Sequence, residues 1–123
     1  MDAMSEFDPT PRATSVDPDV LGTVAWLVRE ATRLANQATG TDLRSPWLDV
    51  VAQTVTAAGY LSDVPDAPTL DGDPSLPVGA RALLALERAA HTLDGAHGRR
   101  DHRVVLVRAA LTDAITIAAR IRT

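Results

Sequence analysis

The chain predicts an all-α protein, an antiparallel four-helix bundle. Four segments place apolar residues at three- and four-residue spacing, proline or glycine separates each from the next, and no stretch alternates with period two for long enough to form a sheet. Residues 1–16, with Pro9 and Pro11 among Asp, Ser and Thr, hold too few apolar groups to offset the entropy of ordering, so a disordered arm is expected ahead of a single domain over 17–123.

The first helix opens with a strong start signal: Asp17 as cap, Pro18 at the first helical position and Asp19 near the positive end of the dipole. Its inward stripe is Val20, Val24, Leu27, Val28, Ala31, Leu34, Ala35 and Ala38, and Gly40 ends it. Ser45 and Pro46 start the second helix in the same way, which closes near Gly59 with Trp47, Leu48, Val51, Val55 and Ala58 expected inward. Between Leu61 and Leu76 stand Pro65, Pro68 and Pro74 with Asp63, Asp66, Asp71 and Asp73. No helix continues through that spacing of prolines, so this Pro/Asp-rich stretch reads as a long loop or extended crossover between helices two and three.

The third helix starts at Pro77 and runs to about Asp94, with Val78, Ala82, Ala85, Leu86, Ala89 and Leu93 as its core face. The fourth runs from an Asp101 cap to about Arg122. Its apolar arc spans close to half the circumference: Val104, Val107, Leu111, Ala114, Ile115 and Ala118, then Leu106, Ala110, Ile117 and Ile121. A stripe that wide needs more than one neighbour, which makes this helix the expected most buried one or one side of a dimer seam.

Composition excludes several chemistries. The chain has no cysteine, so disulfides, thiolate metal sites and a Cys nucleophile are absent. All twelve basic residues are arginine, which removes Schiff-base and lysine-base catalysis. Residues 1–80 carry four Arg and twelve acids, and residues 81–123 carry eight Arg and four acids. Such asymmetry fits a polyanion-binding half or two surfaces of one bundle that attract each other, and the overall pI of about 5.2 argues against a dedicated nucleic-acid binder. No apolar run approaches the roughly 20 residues needed to span a bilayer. The expected setting is the cytoplasm, without a membrane partner.

The most informative side chain is Trp26. At about 100° per residue it projects away from its helix's apolar stripe, among Thr23, Arg29, Glu30 and Arg33. On the third helix Leu84 is the matching outlier, beside Arg81, Arg88 and His91. Aromatic and Arg side chains are enriched where interfaces concentrate binding energy, so Trp26, Arg29, Arg33 and Leu84 are the expected contact residues for a protein partner or a second copy. Cover from within the chain is the competing expectation, by the Pro-rich loop or by the arm through Phe7.

A second constellation lies at the turn into the last helix, where His97, Arg99, Arg100, His102 and Arg103 form a basic corner suited to phosphate or RNA. Asp101 competes for the same helix-end donors. Small helical ribonucleases of the HEPN type place Arg four to six residues before His, and that spacing is absent here. Glu87, His91 and Asp94 share one helical face, but it is a polar face, and no Glu-x-x-His pair is available for a metal bundle. No metal and no cofactor are expected. The reading is a non-catalytic bundle that works by association, with a phosphate- or RNA-directed enzyme or regulatory binder at the basic corner as the alternative.

Overall fold

A computed structural model describes residues 18–69, 74–95 and 102–122. The expected arm, the caps Asp17 and Asp101, and His97, Arg99 and Arg100 lie outside the described residues. Four helices pack as a bundle: α1 (Pro18–Thr39), α2 (Trp47–Gly59), α3 (Val78–Asp94) and α4 (His102–Arg122). Among the described residues there is no strand.

The local chemistry accounts for the helix ends. Gly40 takes a φ of 60°, the left-handed conformation that costs glycine nothing, and its N–H donates to the Asn36 carbonyl at 3.2 Å. The Ser45 hydroxyl accepts from the Trp47 N–H at 3.2 Å, so Ser45 caps α2 with Pro46 just behind it. For α3 the cap position falls on Pro77 itself, extended at φ −56° and ψ 151°, with no side-chain cap.

α1 packs on α2 and α3, and α4 packs on the same two, which leaves α1/α4 and α2/α3 as diagonals. The direction of each helix follows from contacts at its ends. Gly79, at the start of α3, lies against Trp47 at the start of α2 and Arg122 at the end of α4. At the other end Asp94 of α3 pairs with Arg108 of α4, and Asp63, just past α2, pairs with Arg103. Every packed pair is therefore antiparallel, while the diagonal pair α2 and α3 run the same way. A connection between two parallel helices has to climb the bundle, and this is the physical reason for the length of the segment that joins them.

That crossover first leans on α1. Leu61 is fully buried below the end of α2, and the Ala67 N–H donates to the Gly22 carbonyl at 3.1 Å. A β-carbon on Gly22 would stand 3.0 Å from the Ala67 β-carbon and 3.1 Å from the Pro65 carbonyl, so the approach depends on glycine.

Two expectations change. The buried stripe of α2 is Trp47, Val50, Thr54 and Ala57, continued by Leu61, whereas Val55 is exposed and Leu48, Val51 and Ala58 are half-buried. The stripe is rotated because Thr54 enters the core, where its hydroxyl donates to the Val51 carbonyl at 3.0 Å and is satisfied within its own helix. Second, the most buried helix is α1, with nine buried residues against six in α4. The crossover covers a third side of α1, while among the described helices α4 packs on α2 and α3. Leu106, Ile115, Ile117 and Ile121 stay half-buried at the edges of its wide arc, and Val105 is exposed.

Candidate functional site

The helical phase that turns Trp26 from the stripe of α1 brings it to the edge of α3. The indole is half-buried, resting on the margin of the core, and it lines a cleft with Leu27, Glu30 and Leu34 of α1 and Arg81, Leu84, Ala85 and Arg88 of α3. Trp26 and Leu84, expected separately from two helices, share one surface feature. Leu84 is 41% exposed between Arg81 and Arg88, so along α3 the cleft reads cation, apolar group, cation.

Arg33 pairs with Glu30 beside the cleft, donating from Nε to Oε1 at 3.0 Å. That bond, with the charges of Arg33 and Arg81, holds the Glu30 carboxyl below its ordinary range against the opposing effect of burial. A general acid needs the opposite shift. The enclosed space is only about 30 Å³, room for a water and no organic ligand.

Arg29 is occupied elsewhere. Its guanidinium donates to the Leu61 carbonyl at 3.0 Å and the Val64 carbonyl at 3.4 Å, and it pairs with the Asp66 carboxylate. It clamps the crossover to the outer side of α1, and these partners, more than thirty residues away in sequence, had no local signal.

The basic corner is only partly described. His102 is exposed, and Arg103 donates to Asp63 at 3.2 Å, an ion pair that ties the start of α4 to the turn after α2. Glu87 and His91 are exposed on α3, Asp94 is engaged by Arg108, and among the described residues no three metal-binding side chains converge.

A second depression lies between α3 and α4, lined by Leu93, Val104, Val105 and Ala109. Its polar groups bind one another: Arg108 donates to both Asp94 oxygens at 2.8 and 3.1 Å and to the Thr112 hydroxyl at 2.6 Å. Trp47, Leu86 and Leu111 pack in the core. Among the described residues no helix is long and apolar enough to cross a membrane. In comparisons with known proteins, no family model, no curated protein and no solved structure matches this chain.

Proposed function

We propose that this protein works by association, without catalysis of its own, and that the α1/α3 cleft is its contact surface. The observation that carries this reading is the juxtaposition of Trp26 and Leu84, apolar groups from two different helices, within a frame of Arg33, Arg81 and Arg88. An aromatic anchor with arginines around it is the composition in which interface energy concentrates. Among the described residues Glu30 is the one carboxylate that lines the cleft, set against Arg33 and Arg81, and a lining richer in arginine than in acid suits an acidic partner segment with one large apolar side chain. A cytoplasmic setting belongs to the same proposal.

The test is affinity capture from the source cells together with solution mass by light scattering, for the natural chain, Trp26→Ala and Leu84→Arg. At least one protein held in stoichiometric amount by the natural chain should be lost with both variants, whose circular dichroism stays helical. Identical capture and mass for all three would overturn the reading.

A further inference from the structure

We infer that the outer face of α2 is a self-association surface, on which the α2 of a second copy of this chain lies antiparallel about a two-fold axis. The inference is independent of the preceding reading, because the cleft lies between α1 and α3 and α2 is diagonal to α3.

Composition sets α2 apart. The other helices expose charge, with Arg33 on α1, Glu87 and Arg88 on α3, and Asp113 and Arg120 on α4. α2 carries a single charged residue over Trp47–Gly59, Asp49, and is the most apolar of the four. Its outward stripe of Leu48, Ala52, Val55 and Gly59 follows the alternating four- and three-residue spacing at which two helices pack, and Asp49 stands about 100° round the helix from Leu48. Val55, and Leu43 in the turn before α2, are the two most exposed large apolar side chains among the described residues, and Leu43 is 87% exposed. Beside the stripe, the Thr56 hydroxyl donates to the Ala52 carbonyl at 2.9 Å, so it keeps its acceptor when water leaves.

Shape and charge select a second copy as the occupant. With the two-fold axis between the levels of Gln53 and Thr54, Leu48 faces the partner's Gly59 and Ala52 faces the partner's Val55, and the same contacts recur with the chains exchanged. Each layer sets a large side chain against a small one. A β-carbon on Gly59 would meet nothing within 4 Å, so the chain itself leaves that seat open for a leucine. Sliding one helix by a turn puts Leu48 against the partner's Val55 and loses this fit. No ionised group stands on the stripe, so two copies meet without repulsion, and a strongly charged partner finds no counter-charge there. In the antiparallel pair Leu43, ahead of α2, is directed toward the turn that follows the partner's α2. A helix about 20 Å long covers less than the about 800 Å² per partner of a standard interface, so the pair is weak and fills at high concentration.

Sedimentation equilibrium of the full chain tests this. From about 10 μM to about 1 mM the average mass should rise from 13.0 kDa towards twice that value. Val55→Arg and Ala52→Glu, both at exposed positions, should each stay near 13.0 kDa at the highest concentration with unchanged helical circular dichroism, because each pair would place two like charges beside the axis. An equimolar mixture of the two variants should recover about half or more of the natural rise, since in this register the new cation of one chain faces the new carboxylate of the other. A mass fixed at 13.0 kDa throughout, a dimer that survives Val55→Arg, or a mixture that stays monomeric would overturn the proposal. So would a dimer lost with Trp26→Ala or Leu84→Arg and kept with Val55→Arg, by assigning self-association to the cleft. A monomeric result leaves the capture experiment at the cleft to stand or fall separately.

Discussion

Two charged side chains one position apart on α1 do different work, and each makes a measurable prediction. Arg29 satisfies two crossover carbonyls and a carboxylate, so Arg29→Ala removes a clamp and leaves those acceptors to water. Because the ion pair with Asp66 is partly exposed, the expected loss is about 1 kcal/mol, read as a lowered urea midpoint and reduced by added salt. The larger sign of its role is local: hydrogen exchange should rise at Ala67, whose N–H bonds to Gly22, while the core of α4 is unchanged. Glu30 behaves differently. Its carboxyl is held below the ordinary value of 4.5 by the Arg33 hydrogen bond, so its contribution is complete above that pH and disappears as pH falls through the lowered folded value. Glu30→Gln should therefore cost about 0.5 kcal/mol at neutral pH. The gap to the natural chain should close in acid, and a gap that persisted below the folded value would show that the carboxylate charge was not its source.

At the scale of the helix, glycines separate packing from propensity. A β-carbon on Gly79 would sit 2.8 Å from the buried Trp47 ring, whereas one on Gly59 meets nothing within 4 Å. Gly79→Ala should lose about 1–3 kcal/mol to overpacking despite its better helix propensity. Gly59→Ala should gain up to about 1 kcal/mol, and thermal melts of the two variants should move in opposite directions. These contacts also show what the sequence conveyed and what it hid. Helix existence, the Ser45 cap and the Gly40 stop were legible because each depends on neighbours within four residues. The phase of α2 was not, since Thr54 looks like a solvent residue until its hydroxyl is seen bonded to Val51. The cleft was half legible: Trp26 and Leu84 each stood out against their own helix, but their meeting, and the capture of Arg29 by the crossover, depend on topology, which local periodicity does not encode.

For the molecule as a whole, the parallel diagonal of α2 and α3 forces a long crossover, and a core rich in alanine sets how stability is shared. Of the 23 buried apolar residues among those described, 11 are alanine, which lets the helices approach closely while each methyl removes little surface from water. The burden falls on a few large side chains, of which Leu61, Leu86 and Leu111 are fully enclosed. Leu111 is central to this argument because among the described elements α4 packs on α2 and α3, and a void beneath it closes only if these helices shift. Leu111→Ala should cost about 3 kcal/mol, within the range for leucine truncations that leave a partly collapsed cavity, and that is a large share of the 5–15 kcal/mol typical of a small domain. Urea unfolding of the two chains measures it directly. A loss below about 1 kcal/mol would mean that the helices slide together over the missing side chain, and that close approach of alanine faces, rather than the few leucines, holds this bundle.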